Sequence, residues 1–360
     1  MKYDFLPKEG NKLKIAIITP TLSGRGGEET VINRILRSRK IKLKNIQVYL
    51  VILGKSYHKE WLSGLNERIK ITGTGNELSN FLFLSRFIQK ERFGKVICLS
   101  RKSILYSYLI RKVLKLDYTI YSWIHFDLSK VKTTFVGLAD YHLAISDENC
   151  EQLKKKKIGT ANNIFTIYNP VESHSLTIKR EHRNEFIYVG RITLEGQKDI
   201  KELIDNVASL SFSNWRLKII GDGREKEKCQ KYLLSHYPKL NNNIIWEGWK
   251  DNPWDNIDSA DVLILTSSYE GLPMVLLEAI SRGIPCLSSA VSGVFSVIQP
   301  SINGELYKKG DKKDFEIQLQ KILNSKYNIN LLKNSIDKFY IDAYLNRFIN
   351  LLIDGECYDQ

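Results

Sequence analysis

VLILTSSYEGLPMVLLEAISRGIPCLSS, residues 262–289, reads as an apolar run, a polar turn containing glycine, a short helical pattern opened by proline, and a second apolar run. Four-to-six-residue apolar runs bounded by turn residues are buried strands, so the stretch is a strand, loop, helix and strand, the unit from which parallel sheets are wound. Pro273 suits the first turn of the helix, and Gly271 keeps its entry open. Two carboxylates flank that entry, Glu270 in the loop and Glu278 on the helix. At 1.5 Å of rise per residue, Glu278 lies about 7–8 Å along the axis from Pro273.

The same alternation extends outward. FIYVG (186–190), LKIIG (217–221) and NIIWEG (243–248) precede the stretch as further strands of one sheet. In the first half KIAIITP (14–20), VYLVIL (48–53), KVICLS (95–100), YTIYSWI (118–124) and YHLAIS (141–146) form a second series. Between them NPVESHSLTIKREHRNE (169–185) is polar, without sustained period, and opens on Asn-Pro, which marks a connection between domains. The expected fold is therefore α/β, with two doubly wound, Rossmann-like domains, residues 1–172 and 173–337, facing a cleft outside the carboxyl ends of their strands. Ser335 to Ile353 has the spacing of an amphipathic helix, with Ile336, Phe339, Tyr340, Ala343, Tyr344, Phe348 and Leu351 on one side.

At 360 residues each domain can bury its own core without disulfides or metal. No stretch reaches the roughly 18 uninterrupted apolar residues of a membrane span, and MKYDFLPKEGNKLK lacks a signal-peptide core, so a cytoplasmic chain is expected. The five cysteines are scattered, with no CxxC pair, and imply neither a disulfide framework nor a zinc site. Residues 1–172 hold 30 Lys and Arg against 15 Asp and Glu, while residues 173–360 hold 24 against 25. The excess of positive charge thus lies in the first half, which suits an anionic partner such as the inner face of a membrane. The Lys154–Lys157 run has no interleaved aromatics and no nucleic-acid-binding motif accompanies it, so no nucleic acid is expected.

The chemistry-bearing residues follow strands. In GRITLEGQK (190–198) Arg191 offers a planar fork and Lys198 a mobile charge, a pair suited to a diphosphate. The Gly221-Asp222-Gly223 turn permits close backbone approach. Exposed N–H groups at the Pro273 helix start favour an anion. Glu270 and Glu278 then flank it as sugar and ribose flank a nucleotide diphosphate, each carboxylate able to accept two hydroxyl hydrogen bonds. The plainer alternative, a helix cap and a surface acid, leaves Arg191 and Lys198 unexplained. In the first half SGRGGEET (23–30) places Glu29 where a dinucleotide fingerprint needs its third glycine, and no ribose-binding acid ends the next strand, which disfavours NAD. His125 of SWIHFDLS sits at a strand's carboxyl end, with Asp127 placed to orient it. No D-x-D triplet occurs, so no metal clamp on a diphosphate is indicated.

These motifs, GRGGEET, SWIHFDLS, YVGR with EGQK, GDG, the Glu270/Glu278 pair and QPSINGELY, resemble those of the retaining glycosyltransferases of family four, which have the GT-B fold, across nearly the whole chain. ADYHLAIS, EGQK and TSSYEGLPMVLLEAISRGIPC are similar to its lipopolysaccharide 1,6-galactosyltransferase branch, which uses UDP-galactose. The resemblance implies that Arg191 and Lys198 bind the donor diphosphate, Glu278 the ribose, and Glu270 with the backbone of Gly271 and Leu272 the transferred sugar. Gly221 and Trp249 would lie beside the nucleotide, Gly26 and Gly27 would approach the phosphates, and His125 would contact the sugar. It further implies a UDP-sugar donor without cofactor or metal, a glycan or lipid-linked acceptor, a peripheral position at the inner face of the plasma membrane, and a terminal helix, residues 338–360, crossing back to the first domain. Capsule, exopolysaccharide or teichoic acid assembly, a non-hydrolysing sugar-nucleotide epimerase and a silent sugar-binding partner are the alternatives. Two departures, Asp199 where glycine is common and VSGVFSV without a Gly-Pro form, leave the loop conformations open.

Overall fold

The computed structural model describes residues 12–354, apart from residues 25, 56, 66, 67, 73–75 and 256. The chain divides into two compact units, one comprising residues up to Pro170 and from Asp342 onward, the other Val171–Ile341.

The first unit is built on a seven-stranded sheet, β1 (Leu13–Thr19), β2 (Ile46–Ile52), β3 (Ile69–Ile71), β4 (Lys95–Cys98), β5 (Thr119–Trp123), β6 (Tyr141–Ala144) and β7 (Ile164–Thr166), in the order β3-β2-β1-β4-β5-β6-β7. All its pairings are parallel. Helices α1 (Gly27–Arg37), α2 (Arg39–Leu43), α3 (Glu77–Glu91), α4 (Arg101–Leu114) and α5 (Asp147–Lys155) connect the strands. Strands buried on both faces read as near-continuous apolar runs, and Ile15, Ala16, Ile17 and Ile18 are each fully buried.

The second unit holds β8 (Glu185–Val189), β9 (Arg216–Ile220), β10 (Ile244–Gly248), β11 (Val262–Leu265), β12 (Cys286–Ser289) and β13 (Gly304–Tyr307), connected by α6 (Ile200–Ala208), α7 (Lys226–His236) and α8 (Met274–Ile280), and followed by α9 (Lys312–Asn324) and α10 (Ile329–Asn334). Its order is β10-β9-β8-β11-β12-β13, again parallel throughout. Strand order reverses between β8 and β11, the switch point at whose carboxyl ends open α/β sheets form their ligand crevice. Residues 262–289 supply β11, α8 and β12, with Val262–Leu265 and Leu276, Leu277, Ala279 and Ile280 all inaccessible to solvent.

The terminal helix differs from expectation. Residues 335–340 do not continue a helix from Ser335. Asp337–Phe339 form a 3-10 turn, and Tyr340 pairs in parallel with Val171. Val171 donates to the Phe339 carbonyl (2.8 Å) and accepts from the Ile341 N–H (2.9 Å), so the chain is extended there. Helix α11 (Ile341–Asp354) begins only beyond this bridge. The apolar residues Ile336 and Phe339 are buried as the spacing required, but in the second unit's core and not on one helical face. Tyr344 and Phe348 of α11 stack at 5.7 Å, and Phe348 meets the fully buried Trp123 of β5 at 6.2 Å. The crossings fall at Pro170/Val171 and Ile341/Asp342, a few residues from the expected boundaries, and residues 355–360 lie outside the described residues.

Gly221 has a structural reason independent of any ligand. A Cβ there would lie 1.9 Å from the Gly190 carbonyl oxygen, at a φ of +145°. Both atoms belong to backbone, so relief requires a strand-end shift. Gly221→Ala is expected to cost about 1–3 kcal/mol, read as a lowered urea midpoint of the full chain; an unchanged midpoint would contradict the close approach.

Candidate active site

The crevice of the second unit is lined by the loop after β8, residues 190–199, and the loop after β11, residues 266–273. Continued ladder bonds fix the first loop: Gly190 donates to the Ile220 carbonyl (3.0 Å), Ile192 to the Asp222 carbonyl (2.9 Å), and Gly221 to the Gly248 carbonyl (2.8 Å). Ser268 donates to the Gln197 carbonyl at 2.8 Å and so ties the two loops together.

Lys198 and Glu270 meet directly here. Lys198 Nζ donates to Glu270 Oε1 at 2.6 Å, Ser267 Oγ donates to the same oxygen at 2.6 Å, and Gln197 Nε2 reaches Glu270 Oε2 at 3.5 Å. Glu270 is buried at 6% exposure and the Lys198 side chain retains 15%, so the pair sits at the lip of the crevice. Sequence reasoning assigned the two residues to different groups of a ligand and did not foresee their contact. Arg191 is exposed, and among the described residues its guanidinium has no hydrogen bond or ion pair. Its carbonyl accepts from the buried Tyr188 hydroxyl at 2.9 Å. That phenol is held far above its usual range by burial, then by the nearby Glu270 charge, with Arg191 opposing, which places both charges around one buried ring. Thr193 Oγ1 in the same loop is buried and has no partner among the described residues.

Asp199 explains how the loop holds its shape without glycine. It adopts a left-handed conformation, φ +48°, which aspartate tolerates better than most residues. Its carboxylate caps α6 by accepting from the Glu202 N–H (3.3 Å), and it pairs with Lys309 at 2.9 Å. Lys309 also pairs with Glu202 and donates to the Thr266 carbonyl (3.2 Å), while Tyr307 donates to Glu202 at 2.8 Å. One lysine beyond β13 therefore ties down both crevice loops. VSGVFSV resolves similarly: Gly293 has φ +83°, and a Cβ there would meet the Glu270 and Gly271 carbonyl oxygens at 2.5 and 2.6 Å. Ser292 accepts from the Glu270 N–H at 3.2 Å.

Glu278 is half-buried, and its Oε2 accepts from Trp254 Nε1 at 3.1 Å. Arg282 stacks 4.6 Å from the Trp254 ring, fixing that indole. Pro273 is the cap residue, with ψ 97°, so α8 starts one residue later than its sequence implies. Leu272 is buried at 6%. Trp249, just beyond β10, is 41% exposed and its indole reaches Asp251 at 3.4 Å. Ser267, Trp254, Tyr188 and Lys309 were missed: none stands in a spacing that would set it apart from core or surface residues.

In the first unit the glycine loop after β1 wraps around Glu29. Ser23 Oγ and the Gly24 N–H donate to Glu29 Oε1 at 2.7 and 2.8 Å, and a Cβ on Gly26 would lie 2.5 Å from Glu29 Oε2. Gly26 caps α1, and Gly27 is its exposed first residue. Glu28 beside them is pushed up to about 8 by burial and by the adjacent Glu29. His125 follows β5, its ring 4.4 Å from that of Trp123, and its Nε2 is buried without a partner among the described residues. Burial lowers it to about 3, so the imidazole is neutral at physiological pH. Asp127 does not orient it: that carboxylate accepts from the Ser129 N–H and Gln152 Nε2, both at 2.8 Å, because the turn after the strand points it toward α5.

Two parallel, doubly wound units with charged residues at a switch point define a GT-B glycosyltransferase architecture. Residues 172–338 match the model of the glycosyl transferases group 1 family. Lipopolysaccharide 1,6-galactosyltransferase of Escherichia coli K12 is 35% identical, over 95% of this chain and 99% of its own length. The solved structure of the lipopolysaccharide outer core galactosyltransferase WaaB in its apo form matches with a TM-score of 0.84 at 34% identity, covering 95% of this chain and 100% of that one. Anabaena HepE in complex with UDP shares the fold, with a TM-score of 0.78 at 15% identity and coverage of 95% and 100%. The chain belongs to the glycosyl transferases group 1 family.

His142 of β6 is fully buried, with Nδ1 2.8 Å from Ser122 Oγ, and burial lowers it from 6.5 to about 4. Between those values the unfolded chain binds the proton and the folded chain does not, so the contribution of His142 to stability is full above pH 6.5 and falls as pH drops toward 4. The expected slope is up to about 1.4 kcal/mol per pH unit from this residue. Urea unfolding across that range should show a shallower slope in His142→Gln, with the contribution of His125 remaining; an equal slope in that variant would refute the assignment.

Proposed function

We propose that the chain transfers galactose from UDP-galactose to a glycan acceptor of the lipopolysaccharide core type, with retention of configuration and without a metal ion. The observation that carries this reading is the Lys198–Glu270 pair at the switch point of the second sheet, beside an Arg191 guanidinium with no protein partner among the described residues. The 35% identity with a lipopolysaccharide 1,6-galactosyltransferase, extending over 95% of the chain, supports the choice of sugar and acceptor.

In this reading Arg191 and Lys198 meet the donor diphosphate. Lys198, already neutralising Glu270, turns one of its three donors to phosphate, and Glu270 keeps lone pairs for hydroxyls of the hexose. Glu278, fixed by Trp254, takes the ribose, and Trp249 with Gly221 borders the base. Gly271 and Leu272 contribute backbone to the sugar. Gly26 and Gly27 serve the phosphates, and the neutral His125 contacts the sugar. The anomeric C–O bond to phosphate breaks, the acceptor oxygen bonds that carbon from the same face, and its proton passes to the departing phosphate oxygen. Charge growing on that oxygen is stabilised by Arg191 and Lys198, which supply the electrostatic role that a divalent cation plays elsewhere. The positive excess of residues 1–172 supports a position at the inner face of the plasma membrane, within reach of a lipid-linked acceptor.

Lys198→Ala should lower turnover by at least about 100-fold, the scale of losing one transition-state donor; near-wild-type transfer would refute the assignment. Calorimetry should detect UDP binding in the presence of EDTA, and binding abolished by the chelator would overturn metal independence. Of a panel of UDP-hexoses, UDP-galactose should give acceptor-dependent UDP release. Sugar isomerisation without acceptor would favour an epimerase instead.

A further inference from the structure

Helix α3 lies beside β3, the edge strand of the first sheet, and its two faces differ sharply. Asn80, Leu84, Phe87 and Ile88 are buried against the core. On the other side Leu78 and Leu82 stand 67% and 45% exposed, one turn apart, and Arg86 and Lys90 continue the same row, both exposed. With Phe83 and Lys70 of β3 these residues line a groove of about 720 Å³. Its acid, Glu91, is paired with Lys14 at 2.8 Å, so three cations face the opening against a carboxylate already neutralised. The adjacent α4, joined to α3 through the Phe81 and Tyr106 rings at 5.6 Å, also exposes an aliphatic pair one turn apart, Leu109 at 39% and Val113 at 71%.

We propose that this face of α3 is the surface by which the chain rests on an anionic phospholipid bilayer, the leucines entering the acyl boundary and Lys70, Arg86 and Lys90 meeting lipid phosphates. The inference deepens the membrane-facing reading of the first unit and rests on it. Cations alone would equally suit a nucleic acid, but exposed leucines in the same row gain nothing from a phosphate backbone, whereas an interfacial helix uses both. Charge complementarity selects the anionic lipid, and the aliphatic row gives it depth. No helix among the described residues is long and apolar enough to cross a membrane, so this contact lies on the surface.

Co-sedimentation of the full chain with vesicles of phosphatidylcholine, alone or mixed with phosphatidylglycerol, tests the proposal. Each cation near such a surface contributes about fivefold, so Arg86→Ala with Lys90→Ala should weaken binding to the mixed vesicles by about 30-fold. Leu78→Ser with Leu82→Ser should weaken it as well, while the residual binding stays salt-sensitive. Both pairs are exposed, so transfer to a soluble acceptor and the circular dichroism spectrum should be unchanged. Wild-type binding that neither pair alters overturns the α3 surface and leaves the membrane reading standing. No wild-type binding overturns both. An oligonucleotide that binds the wild type and is lost with the same cations, or a dimer lost with the same leucines, overturns the choice of lipid.

Discussion

The contact between Lys198 and Glu270 organises the second unit's crevice, because it joins the loops leaving β8 and β11, the two strands at which the winding of the sheet reverses. A nearly buried ion pair contributes little net stability, since desolvation offsets much of the attraction, but deleting one partner strands the other in a low-dielectric site. Such a pair serves placement more than stability. It keeps an ammonium and a carboxylate at a fixed 2.6 Å, each with hydrogen-bonding capacity remaining for a ligand that carries phosphate and hydroxyls side by side. The surrounding contacts serve the same end. Ser267 and Gln197 hold the carboxylate, Lys309 ties Asp199 and the Thr266 carbonyl, and Gly293 lets the loop after β12 support Glu270 from behind.

Much of this frame was legible in the sequence, for a physical reason. Strands buried on both faces are largely apolar, so β1, β2, β4, β5, β6, β8, β9, β11 and β12 each announced themselves within a few residues of their ends, and the edge strand β10, with Ile245 exposed, was marked by its Ile-Ile-Trp run alone. The short edge-side strands β3, IKI, and β7, IFT, carry too few residues to show a pattern, and β13, GELY, has an acid and a glycine in place of one. Its Glu305 is buried, with Lys321 at 2.9 Å. The delayed start of α11 was illegible because a partner far along the chain, Val171, holds Tyr340 extended.

The site was legible in composition and hidden in its pairings. Position after a strand marked Arg191, Lys198 and Glu270 as residues at one end of a sheet, since parallel winding brings carboxyl ends together, while Glu278 lies on α8 with Trp254 as its partner. Which side chains touch depends on loop paths, and those hinge on backbone angles that no spacing encodes. Asp199 is an instance: a non-glycine residue at φ +48° is tolerated here through its cap to α6 and its tie to Lys309, which lies 110 positions onward. Likewise Asp127 stood two residues from His125 in sequence, yet turned to Gln152.

The division of the chain carries a consequence for its birth on the ribosome. Val171–Ile341 is one uninterrupted segment and holds a complete sheet, whereas the sheet that is translated first takes a covering helix, α11, from residues beyond that segment. Until Phe348 emerges, Trp123 lacks the ring that closes over it. The half begun earliest is therefore completed after the other, and a nascent polypeptide halted before α11 would hold one complete sheet while the first still lacked its covering helix.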